Sequence, residues 1–261
     1  MPKTGKTSIM NHPNRGFVIP NSLGGFSIDP MKVSPESIFV TEILLDQLQA
    51  ARQLAQGVML DVGCGTKPYR ELFARQVTHH WGVDVPFSYH GNRAIDCFAP
   101  SHALPLRSGS VDFVLCTEVL EHVPEPWQAW NEISRVLRPG GVALITTPFI
   151  YRFHEMPWDF WRITGPCHRR MAERAGLMIE DIRPRGGYLS VLADVKLKGL
   201  AFAVRLIRKL LRRPTQPGPI TRRFFAMIQK PLFWLLRKER LKSDVFTIGL
   251  VVIARKPRPH E

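Results

Sequence analysis

The sequence predicts an α/β protein organised around a parallel sheet, and three observations carry that expectation. The apolar run Val58-Met59-Leu60-Asp61-Val62 ends in the turn Gly63-Cys64-Gly65. Short apolar runs recur at 79–85, 94–98, 111–116 and 142–147, with helical stretches between them. A last clean run, Phe246 to Ala254, closes the pattern. Near-continuous apolar strands of this kind are buried on both faces, as in a parallel sheet covered by helices.

Taken in order, residues 1–34 are rich in Gly, Pro, Asn and Ser and read as an irregular lead-in. Ser34-Pro35 is a helix start, with Ser at the N-cap and Pro at the first helical position. That helix is expected to run to about Gln56 and to bury Ile38, Leu44, Leu45, Leu48 and Leu54. Strand 58–62 then enters the glycine turn. Gly63 and Gly65 lack a Cβ, so the chain can turn sharply and a ligand can sit on its N–H groups. Open α/β sheets bind ligands at the carboxyl ends of such strands.

Two details separate this turn from a dinucleotide fingerprint. A third glycine is required where Pro68 stands, and Asp61 lies unfavourably close to any pyrophosphate. A ligand carrying positive charge suits Asp61 better. Tyr69–Arg75 is the first crossover helix, and 79–85 the second strand. Asp84 follows Gly65 by 19 residues, where an acid accepts hydrogen bonds from ribose hydroxyls. The remaining elements are strands 94–98 and 111–116, helix 127–137, strand 142–147, a short helix at 171–175, and strand 177–183. About sixty residues separate that strand from the last one, far more than a hairpin needs.

At 261 residues, with 44% apolar and 22% charged residues, the chain suits one large domain. Its net charge of +14 is segregated. Residues 183–261 hold 19 Lys and Arg against 4 Asp and Glu, whereas 1–182 hold 17 against 18. Such segregation points to a docking segment rather than general nucleic-acid affinity. Within 190–242, Leu197, Leu200, Ala201, Val204 and Leu211 form one helical stripe, with Lys198, Arg205, Lys209 and Arg212 on another. After a Pro-rich break at 214–219, residues 222–240 add Phe224, Phe225, Phe233 and Trp234 among further Arg and Lys. Basic amphipathic helices with Trp and Phe fit an anionic membrane surface, approached through 196–240. Helices packed on the domain with a solvated basic face are the plain alternative. Nucleic acid ranks behind both, since no RNA-binding motif accompanies the charge.

The four cysteines are scattered, and no apolar run reaches the ~18 residues of a membrane span. No secretory signal pattern opens the sequence. Reduced core thiols in a cytoplasmic protein, peripheral on the inner face of the membrane, are expected. His154, Cys167 and His168 fit no zinc spacing, so no metal is expected.

Several passages resemble the class I S-adenosylmethionine-dependent methyltransferases. Leu60-Asp61-Val62-Gly63-Cys64-Gly65 matches their first motif. Ala103-Leu104-Pro105 through Val114, Glu118-Val119-Leu120-Glu121-His122-Val123, and Arg135-Val136-Leu137-Arg138-Pro139-Gly140-Gly141 match the type 11-like subgroup in order and spacing. The resemblance covers 57–148. It implies a Rossmann-like seven-stranded mostly parallel sheet flanked by helices, with strand seven antiparallel beside strand six and the basic helical insertion between them.

The implied cofactor is S-adenosyl-L-methionine, held by Asp61, Gly63, Cys64, Gly65, Asp84, Asp96 and Thr117. Asp96 enters because Pro100 stands where relatives carry the acid that meets adenine, with backbone groups near Cys97 and Phe98 as the alternative replacement. Glu118 and His122 sit at the rim of the pocket, four residues apart and so able to share a helical face. His122 can equally satisfy a backbone group. The aromatic loop 148–168 is similar to a substrate segment of a subgroup tied to glycan or lipid-linked acceptors. In that reading His154 is the general base, Asp159 orients it, and Tyr151, Trp158 and Arg162 hold the acceptor. An internal Asp159–Arg162 ion pair with a structural His154 is the alternative. The expected activity is methyl transfer to a small-molecule, glycan or lipid-linked acceptor. A nucleic-acid methyltransferase and a non-catalytic binding module are the other readings.

Overall fold

A computed structural model describes residues 16–21, 24–86, 93–214, 218–237, 239 and 245–259. Half of the expected lead-in, the centre of the Pro-rich break and the end of the insertion lie outside them. The described part of the lead-in is not wholly irregular, because β1 (Val18–Pro20) and β2 (Phe26–Ile28) pair antiparallel. Next come α1 (Ile38–Ala51), β3 (Gly57–Val62), α2 (Arg70–Phe73), β4 (Val77–Asp84), β5 (Cys97–Phe98) and β6 (Val111–Thr117). Then follow α3 (Pro126–Val136), β7 (Leu137–Pro148), α4 (Gly165–Arg174), β8 (Met178–Arg185), α5 (Tyr188–Leu210), α6 (Pro219–Leu236) and β9 (Gly249–Arg255).

Seven strands form one sheet in the order β5-β4-β3-β6-β7-β9-β8, with β9 antiparallel to both its neighbours. The α/β expectation and the antiparallel placement of the last strand both hold. Side-chain alternation explains why helices cover both faces. Met59, Phe113, Leu115, Val142 and Leu144 join α1 and α6 in one core. Leu60, Val62, Val114, Cys116, Ala143 and Ile145 join α3 and α4 in another. Period-two strands with both sets apolar demand two covering layers.

Element boundaries differ from expectation where local signals mislead. Ser34 does not cap α1: a 3-10 turn, Pro35–Ser37, precedes the helix, and the Ser34 hydroxyl bonds the Ser37 hydroxyl at 2.9 Å. The cap comes instead from α6, where Gln229 Oε1 accepts from Phe39 N at 2.8 Å and Nε2 donates to Pro35 O at 2.6 Å. A helix's orphan N–H needs an acceptor from somewhere, and here it is 190 residues away. Helix α4 begins six residues before the expected Met171, because Thr164 caps it and Pro166 fits its first turn. Cys64 and Cys116 are buried free thiols, while Cys97 and Cys167 are free but exposed, against the expectation of a core Cys97.

His168, on α4, is fully buried with Nε2 2.9 Å from the Thr147 hydroxyl. Burial pushes its pKa down to about 4. The native chain therefore binds fewer protons than the unfolded one between about 4 and the usual ~6.5. Stability from this group is full above ~6.5 and is lost as pH falls toward 4, by roughly 3 kcal/mol. Urea unfolding of wild type and His168→Gln across that window will show a smaller loss in the variant.

Candidate functional site

Two adjoining cavities open at the carboxyl ends of β3, β4, β6 and β7. The first, about 280 Å³, is walled by the glycine turn, α1 and the loop after β7. The second, about 320 Å³, lies over the ends of β4 and β5. Gly63, Glu118, His122 and Glu155 border both. Together they fall in the usual size range of ligand pockets.

The glycine turn is built by close approach. Gly63 has φ +67°, and a Cβ there would lie 2.3 Å from Val119 Cγ2. Its N–H groups are already used, unlike the sequence expectation that a ligand sits on them. Gly63 N and Cys64 N donate to Val83 O at 2.8 and 3.2 Å, and Gly65 N donates to Asp84 Oδ2 at 2.8 Å. The glycines bring backbone to the cavity wall; the carboxylates offer the recognition.

Asp61, 2% exposed, lines the first cavity and meets His80 Nε2 at 3.0 Å. Burial pushes its pKa up, and His80 partly offsets this. Asp84 lines the second cavity, its Oδ1 accepting from Val85 N at 2.7 Å. Asp96 lines neither: it pairs with the buried Lys67 and accepts from Gly82 N at 2.7 Å, beneath the turn. The second cavity's wall beyond β5 is instead Ala99, Pro100, Ser101 and His102, with Val119 opposite.

Thr117 and Glu118 border the first cavity. Glu118 adopts φ +54°, so it and His122 do not share a helical face. Its Oε1 accepts from Thr146 Oγ1 and from Arg185 Nη2, both at 2.8 Å. Arg185, at the end of β8 and 3% exposed, also donates to Thr147 O at 3.0 Å. Sequence reading missed Arg185, because its partner stands 67 residues away and no local pattern marks it.

The loop after β7 is docked on the segment that follows β6. Phe160 N and Trp161 N donate to Glu121 O, and Trp161 Nε1 donates to Val123 O at 3.0 Å. His122 Nδ1 lies 2.9 Å from Trp158 O. Within the loop, Arg162 grips Asp159 at 2.6 and 2.9 Å. That pairing drops the Asp159 pKa to about 2. Asp159 Oδ2 also accepts from His154 N at 3.0 Å and stands 3.4 Å from Nδ1. Arg162 is thus engaged inside the loop, whereas Tyr151 and His154 face the first cavity and Trp158 the second. Burial, then the His122 charge, push the His154 pKa down, which favours the neutral imidazole. Glu121 and Glu155 beside these imidazoles also escaped sequence reading, although Glu121 stands inside a quoted motif.

The family model described as "Methyltransferase domain" matches residues 60–145. An uncharacterized methyltransferase of Mycobacterium sp. (strain JLS) is 37% identical over 114 residues, covering 40% of this chain and 44% of that protein. The chain thus spans less than half of that relative's length. An uncharacterized methyltransferase of Mycobacteroides abscessus is 30% identical over 223 residues, 78% of this chain and 80% of that protein. Among solved structures, the cyclase SpnF superposes with a TM-score of 0.53 at 20% identity, covering 90% of this chain and 87% of that one. An S-adenosylmethionine-dependent methyltransferase from Mesorhizobium loti gives 0.50 at 14%, covering 82% and 97%. These likenesses show the fold, while the family rests on the sequence matches: the chain belongs to the methyltransferase-domain family, with the class I fold.

Proposed function

We propose that the protein transfers a methyl group from S-adenosylmethionine to a small-molecule, glycan or lipid-linked acceptor at an anionic membrane surface. The observation that carries the first half is the meeting of two cavities at Gly63 and Glu118. One has an acid at the end of β4 and walls of Val85, Ala99, Pro100 and Val119, which suit a ribose and a flat ring. The other has Asp61 and Glu118, whose carboxylates suit a cationic ligand. S-adenosylmethionine supplies an activated methyl on such a cation. Tyr151 and His154 then flank the acceptor's place, and the docked loop shields it from water, so alignment and exclusion of solvent account for most of the rate. In the protein alone, neutral His154 is the group placed to take a hydroxyl proton, with Asp159 as its positioning residue.

The second half rests on α5 and α6. Leu197, Ala201, Phe225 and Phe233 are buried against the domain. The expected stripe therefore splits, since Leu200 and Leu211 are exposed. A separate apolar face remains outward: Phe202 is 65% exposed, with Leu206, Leu210, Met227 and Leu235 also open. Exposed Lys196, Lys209 and Arg223 lie among them. No helix among the described residues is long and apolar enough to cross a membrane. An apolar face set in positive charge suits insertion into an anionic interface.

The test uses calorimetry with S-adenosylmethionine and co-sedimentation with phosphatidylglycerol–phosphatidylcholine vesicles. The combined Phe202→Glu, Leu206→Glu and Leu210→Glu variant will lose roughly tenfold or more of its vesicle binding, since each change removes buried apolar area and adds repulsion. Its affinity for S-adenosylmethionine will stay at the wild-type value. Unchanged vesicle binding overturns the membrane reading. Salt-dependent RNA binding in its place supports the nucleic-acid reading. A folded protein that binds no S-adenosylmethionine overturns the enzyme reading.

A further inference from the structure

The turn after β6 holds a buried acid without a partner. Glu121 is 0% exposed, and neither carboxylate oxygen has a hydrogen-bond partner among the described residues. Burial and the nearby Glu118 push its pKa well up. Buried polar atoms are ordinarily satisfied, and each exception calls for a cause such as an unseen ion. The atoms facing Glu121 supply one. Oε1 lies 3.8 Å from His122 Nε2 and 4.0 Å from His154 Nε2, and the two imidazoles meet edge to face at 4.7 Å.

One imidazole is also backed in the right sense, and the other has a carboxylate close behind it. His122 Nδ1, 2.9 Å from the Trp158 carbonyl, must carry the proton, which leaves the Nε2 lone pair pointing inward. His154 Nδ1 stands 3.4 Å from the Asp159 carboxylate without a hydrogen bond to it, near enough for a small ring rotation to make one. A carbonyl or carboxylate behind the far nitrogen is the usual support of a metal-bound histidine.

We propose that Glu121, His122 and His154 bind one divalent transition-metal ion, of the zinc or iron kind, in the wall shared by the two cavities. One ligand atom from each residue lies within 4.8 Å of the others. The two Glu–His separations exceed by about half an ångström the ~3.4 Å edge of a tetrahedron with ~2.1 Å bonds, and the His–His edge is at most 4.8 Å, so side-chain rotations are needed to close the site. Two imidazoles favour zinc or iron over manganese, magnesium and calcium. Glu155 Oε2, 3.8 Å from His122 Nε2, stands at the rim. Three protein ligands leave an open position toward the acceptor. The site differs from the set weighed in the sequence: Cys167 is exposed, and His168 is spent on Thr147.

If the methyl-transfer reading holds, the open position selects a hydroxyl-bearing acceptor. The ion lowers the hydroxyl's pKa, so its proton leaves to water. An oxygen lone pair then forms the new O–CH₃ bond, and the C–S pair stays on sulfur. His154 serves there as a ligand rather than as the base.

The test is titration of the metal-stripped full chain with Co²⁺, followed by its visible absorption bands, and with Zn²⁺ by calorimetry. Wild type will take one ion per chain. Glu121→Gln and, separately, His154→Gln will weaken binding by at least about 100-fold. Glutamine keeps the size and shape of glutamate, so Glu121→Gln will fold, and Zn²⁺ will raise the melting temperature of wild type but not of Glu121→Gln or His154→Gln. His168→Gln will bind as wild type does. No stoichiometric binding by wild type, or equal binding by Glu121→Gln, overturns the inference. S-adenosylmethionine calorimetry on the stripped protein separates the two readings: binding there without any metal uptake overturns the ion site and leaves the methyl-transfer reading standing.

Discussion

Replacing Asp84 with Ala will lower affinity for S-adenosylmethionine by about 100-fold, equivalent to ~2.7 kcal/mol and to the loss of one or two charge-assisted hydrogen bonds. The carboxylate does two things at once. It holds the glycine turn through Gly65 N at 2.8 Å, and it presents its remaining lone pairs at the end of β4. Asp84→Asn keeps one oxygen and will lose roughly tenfold. Calorimetry on folded samples of both variants checks this, with circular dichroism to confirm the fold. Asp96→Asn supplies the contrast. Asp96 lies under the turn, paired with Lys67, which is 6% exposed. Its loss leaves a buried charge poorly paired, so stability will fall while affinity changes little. Equal loss of affinity in Asp84→Ala and Asp96→Asn would sink the assignment of the ribose acid.

Arg185→Leu will be the most destabilising single change in the site. It removes the cation that pairs with Glu118 and the donor to Thr147 O, and Arg185 itself is only 3% exposed. Arg185 is buried but Glu118 is 33% exposed, so the stranded charge is partly solvated and the loss is about 1–3 kcal/mol. For a chain of this size that corresponds to a fall of roughly 5 °C in Tm. Adding Glu118→Gln to the variant will restore part of the loss, because the stranded charge goes with it. A scanning-calorimetry Tm that stays within about 2 °C of wild type contradicts the role drawn for this pair.

The fold was legible because its signals are local and repeated. Apolar strands with both faces buried, each followed by a helix, announce a covered parallel sheet, and the glycine turn fixes which strand end is the site. The carboxylates that line the two cavities were legible for the same reason: Asp61 and Asp84 stand at strand ends, and strand ends converge. What escaped reading depends on contacts distant in sequence. Gln229 caps α1 from α6, Arg185 meets Glu118 across two strands, and Glu121 becomes unusual only through its burial. Asp96 shows the reverse case. It was the stand-in for the acid that Pro100 replaces, but it pairs with the buried Lys67 amine, and Lys67 gave no sign of burial in the sequence.

The position of β9 bears on how the chain is made. Translation delivers β8, then α5 and α6, and only afterwards the strand that lies between β7 and β8. Until residues 249–255 leave the ribosome, β7 shows one open edge and β8 has no partner strand at all. Unpaired edges invite pairing with other chains. The α5–α6 pair, meanwhile, already has α1 to pack on through Phe39, Ile43, Leu197 and Phe233. The basic helices thus hold the late half of the chain against the early half while the sheet waits for its last strand. Ribosome-stalled chains that end before and after 249–255 differ in this one respect: only the longer ones can close the sheet and resist protease.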